Sequence, residues 1–369
     1  MTVSRFAPSP TGRMHLGNVF CALLSWLSAK SKGGQWLLRI EDIDPGRSRR
    51  DYALQLMEDL QWLGLPWDGE VIWQSERSDI YAHYLQLLQD AGLTYPCFCT
   101  RADIMATQAP HETDGRIVYA GTCRPKNMFP SQSSLSRLSS QSSQSSQSSQ
   151  SSQSSQSSQS SQSSQSSQSS QSSQSSQSRL SSQSINSPAA IRLLVPDEDI
   201  AFTDGHYGPQ RVNLARHCGD YILRRRDGAW AYQLAVVVDD ALMGVTEIVR
   251  GRDLLLSTPQ QIHLRQTIAS ISPFHPFTFL PFHLFNLSPF YYHHPLLINE
   301  SGQRLCKRDK SLDLGALRAR HVAPEDIIGL LAHLAGLQPA PAPAKPQDLL
   351  PLFSWQKVPL HDIVTSPLP

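Results

Sequence analysis

Apolar residues along the first hundred positions switch between the periods of strand and helix. Ser4–Ala7 is a short run that predicts a buried strand, closed by the turn-rich Pro8-Ser9-Pro10-Thr11-Gly12. From about Asn18, a residue type suited to a helix N-cap, Val19, Phe20, Leu23, Leu24 and Leu27 recur at helical spacing until Gly33-Gly34. Gln35–Ile40 reads as a second strand ending in the acidic run Glu41-Asp42-Ile43-Asp44, and a second amphipathic helix is predicted from about Tyr52 to Leu63. Strand, helix and strand at this spacing predict a right-handed βαβ unit on a parallel sheet, hence an α/β fold.

Farther along, the pattern breaks and resumes. Residues 131–187 are dominated by a Ser-Ser-Gln repeat with no apolar side chain through its long middle. Such a tract buries too little surface to offset its ordering entropy and is expected to be disordered. Ile191–Val195 is strand-like, Gly244–Arg250 predicts another strand, and Thr258–Ile268 a helix capped by Thr258 with Pro259 in its first position. Ala231–Val238 is strongly apolar, and periodicity does not choose between helix and strand there. Ser270–Phe290, dense in Pro and Phe, fits no period and reads as an inserted surface segment or a local corruption. A last helix is predicted over about Pro324–Leu337, then a Pro-rich linker, Pro339–Pro346, and a short tail.

Composition narrows the partners. A net charge of +1 supplies no global basic field, so any RNA contact must come from local patches such as Arg47, Arg49 and Arg50, or Arg224–Arg226. No apolar run approaches the ~20 residues of a membrane helix. The start, MTVSRFAPSPTG, lacks the charged end and apolar core of a secretory leader, so a cytoplasmic protein is expected. Of the cysteines, Cys97, Cys99 and Cys123 crowd one stretch, which without a leader points to metal rather than disulfides.

Two segments carry chemistry on their residues alone. In Arg5–Gly12 followed by His15-Leu16-Gly17-Asn18, a strand end and a tight turn lead to a helix start, whose unpaired N–H groups and positive dipole end suit phosphate. Gly17 would let a nucleotide approach the backbone, and His15 could donate to a phosphate oxygen whose charge grows in the transition state. Cys97-Phe98-Cys99, with Tyr119 and Cys123 following, offers three thiolates and a fourth donor for a tetrahedral zinc shell; His111 is an alternative fourth ligand.

The runs RFAPSPTGRMHLGN and LLRIEDIDPGRSR, together with Ala231–Asp240, Gly244–Gly251 and His293–Lys307, resemble the glutamyl-tRNA synthetases of class I. The resemblance implies a Rossmann-like parallel sheet with a zinc-bearing insertion and a short helical C-terminal region. Residues 1–96 would be the first half of the catalytic domain, 97–130 the zinc insertion and 131–187 the low-complexity insert. Residues 188–308 would supply the acceptor-contact segment and the second catalytic half, with the Phe/Pro loop at 270–290, and 309–369 the C-terminal region and tail. It implies that Arg5, Phe6, Ala7, Pro8, Ser9, Glu41, Tyr232 and Arg250 bind glutamate. Glu41 would face the α-ammonium, Ala7 contribute its backbone, and Arg5 and Arg250 hold carboxylate oxygens, Arg5 the side-chain one, as a planar guanidinium does well.

The same resemblance makes His15, Gly17, Asn18 and Lys307 both catalytic and ATP-binding. Asn18 stands where the family's "HIGH" element has its second histidine. Lys307 falls in the mobile lysine loop Arg304-Leu305-Cys306-Lys307-Arg308, with Cys306 in place of a usual serine and Arg304 in place of a usual lysine. A shifted register would make Lys310 the working lysine. Implied cofactors are one structural Zn2+, held by Cys97, Cys99, Tyr119 and Cys123, and Mg2+ with ATP.

Few residues follow Lys307, too few for a further compact domain that reads an anticodon. The chain therefore resembles the shorter glutamyl-Q tRNA(Asp) branch. That implies glutamate activation without tRNA, then transfer to the queuosine base in the anticodon loop of tRNA(Asp), by a monomer with no membrane partner. Two other readings stay open: a truncated enzyme charging a tRNA 3′ end, and a catalytically impaired RNA-binding or interaction protein.

Overall fold

The computed structural model of the chain describes residues 1–106, 118–126, 188–271, 282–305 and 313–365. Strand β1 (Val3–Phe6), helix α1 (Leu16–Lys30) and strand β2 (Gln35–Ile40) form the expected parallel unit, with Val3 opposite Gln35 and Phe6 opposite Leu38. Helix α2 (Arg50–Trp62) then leads to β3 (Ile72–Trp73), which pairs in parallel with the end of β2. Helix α1 begins two residues earlier than Asn18 suggested. His15 is the N-cap, its Nδ1 accepting the Gly17 N–H at 3.1 Å, while the Asn18 side chain turns back to accept the His15 N–H at 3.2 Å. Asn18 is thus the third-residue partner of a capping box, its amide oxygen reaching back as that of a Glu or Gln usually does there.

After α3 (Ser78–Asp90), β4 (Thr94–Cys97) pairs antiparallel with β5 (Ala190–Leu193). A hairpin of β6 (Asp199–Asp204) and β7 (Gly208–Asn213) follows, and β8 (Ile222–Arg224) completes the small sheet on β5. The ambiguous apolar run is helix α4 (Tyr232–Leu242), in which every residue from Leu234 to Ala241 is buried. A helix covered on all sides has no polar face, so no helical period was there to read. Strand β9 (Glu247–Gly251) lies beside β1, where the Thr246 N–H donates to the Val3 carbonyl at 2.9 Å.

Helix α5 (Thr258–Ile271) continues directly from a 3-10 turn, Arg252–Ser257, so Thr258 does not cap it. Strand β10 (Phe290–His294) then runs parallel to β9 and touches β6 in parallel at Tyr291 and Asp204. The latter part of the Phe/Pro stretch packs in part against the body of the fold. Phe285 is buried against the Tyr84 ring, and Arg265 donates to the Leu284 and Phe285 carbonyls. Residues 272–281 lie outside the described residues, as does the Ser/Gln tract 131–187.

The C-terminal segment is also more ordered in its packing than a linker and tail. After β11 (Leu297–Ile298) and α6 (Pro324–Leu334), which ends at Gly336 with φ 72°, the Pro-rich stretch buries Ala344 in the main core, and Leu349 just beyond it joins the same core. Trp355 stacks on Tyr292 at 4.8 Å, and β12 (Ile363–Val364) pairs in parallel with β11. Proline-rich sequence withholds N–H donors but still packs well, so composition alone misreads it. Apart from Arg124–Lys126 and Pro188, the described residues form one compact unit, and among them no helix is long and apolar enough to cross a membrane.

Candidate active site

Strands β1, β2, β9 and β10 end around one cavity of about 430 Å³ that also receives the start of α1. Ligands in open α/β sheets bind outside the carboxyl ends of the strands, and this cavity has that placement. It is lined by Arg5, Phe6, Ala7, Pro8 and Ser9 from β1 and its turn, by Glu41 after β2, by Tyr232 at the start of α4, and by Arg250 in β9. His15, Gly17 and Asn18 line it as well. Every residue expected to touch glutamate or ATP is therefore at one place, except Lys307, which lies outside the described residues together with Cys306 and Lys310. The flanks of that loop are described. Arg304, paired to Asp253, and buried Leu305 line the cavity where the segment leaves, and Asp313 bridges His15 where it returns.

Beneath the cavity lies a buried charge network only half visible in the motifs. Arg39, fully buried, donates to Asp240 at 2.6 Å and to Glu41 at 3.2 Å. Arg5 spans the same Asp240 carboxylate, Nε at 3.0 Å and Nη2 at 3.4 Å. Asp239 accepts from Gln74, Arg77 and Tyr81 at 2.7–2.8 Å. Burial works to raise the Asp240 pKa, but the charges of Arg39 and then Arg5 outweigh it and hold the carboxyl at about 2. Glu41 goes the other way: burial raises its pKa against the pull of Arg39 and Arg5. A carboxylate short of positive charge beside a cavity suits an incoming ammonium. Arg39, Asp239 and Asp240 were not singled out from sequence; two adjacent acids closing an apolar run were the available signal, since buried carboxylates are nearly always paired.

Arg250 is held on both edges. Its Nε donates to His293 Nε2 at 3.0 Å, Nη1 to Gln261 at 2.7 Å and to the Tyr232 hydroxyl at 3.4 Å, and Nη2 to Thr258 at 2.7 Å. At the helix start, Nδ1 of His15 is the acceptor in the cap, so the neutral ring carries its proton on Nε2, the nitrogen able to donate to a phosphate. Gly17 also makes room for this ring: a Cβ there would sit 3.0 Å from His15 Nδ1 and Cε1.

Away from the cavity, the Cys97, Cys99 and Cys123 sulfurs lie within 4.8 Å of one another, with Cys99 and Cys123 at 3.5 Å. The Tyr119 hydroxyl is 3.5 Å from Cys97 Sγ and accepts the Cys123 N–H at 2.7 Å, and the Arg192 guanidinium lies 3.7 Å over the Tyr119 ring. Zinc bonds of ~2.3 Å to sulfur and ~2.1 Å to oxygen give tetrahedral edges of roughly 3.6–3.8 Å. Two of the six edges, Cys99–Cys123 and Cys97–Tyr119, are 3.5 Å, close to those of such a shell. His111 lies outside the described residues.

The sequence profile of the catalytic domain of class I tRNA synthetases (E and Q) matches residues 1–126 and 141–342. A glutamyl-Q tRNA(Asp) synthetase of Symbiobacterium thermophilum is 38% identical over 98% of this chain and 95% of its own length. One from Nitratidesulfovibrio vulgaris is 38% identical over 99% and 96%. In fold, a glutamate tRNA ligase of Elizabethkingia meningosepticum, solved in complex with its amino acid, superposes with a TM-score of 0.67 at 24% identity, covering 99% of this chain and 67% of that one.

Proposed function

Since the chain belongs to the class I tRNA synthetases for glutamate and glutamine, and within them to the glutamyl-Q tRNA(Asp) synthetases, we propose that it joins glutamate, activated by ATP, to the queuosine base of tRNA(Asp). The observation that carries this reading is a single cavity in which Arg5, Arg250, Tyr232 and Glu41 adjoin a capped helix start. Two guanidiniums and one under-compensated carboxylate match a dicarboxylic zwitterion; the helix start matches a triphosphate.

In the first step, an α-carboxylate oxygen of glutamate attacks the α-phosphorus of Mg-ATP. A C–O–P bond forms and the bond to pyrophosphate breaks. Glu41 holds the ammonium and Arg5, braced by Asp240, a carboxylate. His15 Nε2–H and the positive dipole end of α1 meet charge growing on the phosphates, and Lys307 takes up that of departing pyrophosphate. In the second step, a hydroxyl of the modified base attacks the activated carbonyl and releases AMP. Purified protein given labelled glutamate, ATP and queuosine-containing tRNA(Asp) should place the label on the anticodon fragment after nuclease digestion. Label on the 3′-terminal ribose would instead make this a 3′-charging enzyme.

Cys97, Cys99, Tyr119 and Cys123 hold one structural zinc ion that ties β4 to the segment at 118–123. A strong chelator is expected to release about one equivalent of zinc per chain and to loosen this segment. Metal analysis checks the stoichiometry, and Cys123→Ala should already lack the metal as purified.

A further inference from the structure

Among the described arginines of the cavity, Arg250 is the one supported by a histidine instead of an acid, and the arrangement behind it is directional. The Arg250 Nε–H can only donate, so His293 Nε2, 3.0 Å away, must accept and carry no proton. The ring proton is then on Nδ1, where it meets Asp204 Oδ2 at 2.6 Å. The other oxygen of Asp204 is committed to main-chain donors, the N–H groups of His206 at 3.0 Å and Tyr207 at 2.9 Å. Both side chains, His293 and Asp204, are fully shielded from solvent. Burial depresses His293 to about 4, so the ring stays neutral and its lone pair faces Arg250 throughout the physiological range.

From this chain of bonds we infer that Asp204 and His293 are positioning residues for the amino-acid substrate: Asp204 fixes the tautomer of His293, and His293 fixes the rotation of the Arg250 guanidinium. The inference rests on the reading of Arg250 as a glutamate ligand. The pair lies behind Arg250, on β6 and β10, and neither residue lines the cavity. His293 Nε2 also lies 3.2 Å from the Thr258 hydroxyl, which accepts from Arg250 as well, so the pair acts on substrate through Arg250 and the groups that clamp it.

Asp204→Asn provides a near-isosteric test. The two main-chain N–H groups will hold the amide oxygen, which turns the NH2 group toward His293 Nδ1. Nδ1 must then accept, the ring proton moves to Nε2, and two donors face each other across the contact with Arg250. In glutamate-dependent ATP–pyrophosphate exchange with the full-length enzyme, the KM for glutamate is expected to rise roughly 10- to 100-fold, with the KM for ATP changed less than about twofold. Nitrogen NMR of the labelled protein should find Nδ1 of His293 protonated in the wild type and Nε2 protonated in the variant. A merely structural role would lower the melting temperature and raise both KM values together, without this split.

His293→Gln supplies the second variant if Asp204→Asn folds poorly. Its side-chain carbonyl can still accept from Arg250, so it should lose less glutamate affinity than His293→Ala. Arg250→Ala separates the two levels of the argument. If it raises the KM for glutamate while Asp204→Asn and His293→Ala leave it unchanged, the positioning role is overturned and the glutamate pocket stands. If Arg250→Ala leaves that KM unchanged, both are overturned.

Discussion

Replacing Asp240 by alanine is expected to cost the fold about 3–5 kcal/mol, the largest stability loss foreseen for any one side chain here. The carboxylate is the shared counterion of two buried guanidiniums, at 2.6 Å from Arg39 and 3.0 Å from Arg5. Without it Arg39 keeps Glu41 at 3.2 Å and a more distant Asp239 at 3.8 Å, while Arg5 loses the partner that orients it toward the cavity. Thermal unfolding should fall by on the order of 10 °C in a domain of this size. The pH dependence follows from the depressed pKa. A carboxyl held at about 2 when folded and near ~3.9 when unfolded stabilises the fold fully above pH ~4, and that stabilisation is lost as pH falls toward 2. Asp240→Asn keeps the shape, so its stability should lack that acid limb. Denaturant titrations across this pH range would measure both effects, and a loss under about 1 kcal/mol in the alanine variant would mean that the network is not held by this charge.

The second large effect is kinetic. Lys307→Ala should slow adenylate formation by roughly 10²- to 10³-fold while leaving glutamate affinity within about twofold, because pyrophosphate acquires its charge only as the bond breaks. Lys307 itself lies outside the described residues, but its segment departs from cavity-lining Leu305 and returns at Asp313 against His15. Both described flanks of the loop thus stand near the cavity, Asp313 at the helix start read as the phosphate site. Single-turnover exchange measures the step. If the rate is unchanged in Lys307→Ala and collapses in Lys310→Ala, the shifted register is the working one. Arg304 is already engaged with Asp253.

The parallel unit β1–α1–β2 was legible because its two periods are uninterrupted and its stops are unambiguous: Pro8 to Gly12, Gly33-Gly34, and the acids after Ile40. The candidate pocket was legible through resemblance, since Arg5, Glu41, Tyr232 and Arg250 fall in recognisable runs that converge on one cavity. Helix α4 was not, because a fully enclosed helix carries no polar stripe. Nor was the C-terminal segment, where proline-rich composition suggested a linker and Trp355, Leu349 and β12 pack or pair instead.

What the sequence by itself determined is therefore chemical type and local order: which residues could meet a carboxylate, an ammonium, a phosphate or zinc, and which short runs would be strand or helix. Those properties depend on neighbours within a few positions. What only the tertiary structure decided is how each charge is held. Asp240 meets Arg5 across 235 positions, His293 meets Asp204 across 89, and Tyr119 reaches Cys97 across 22. Pairings between distant segments are fixed by how strands and loops pack in three dimensions, and no local period encodes them.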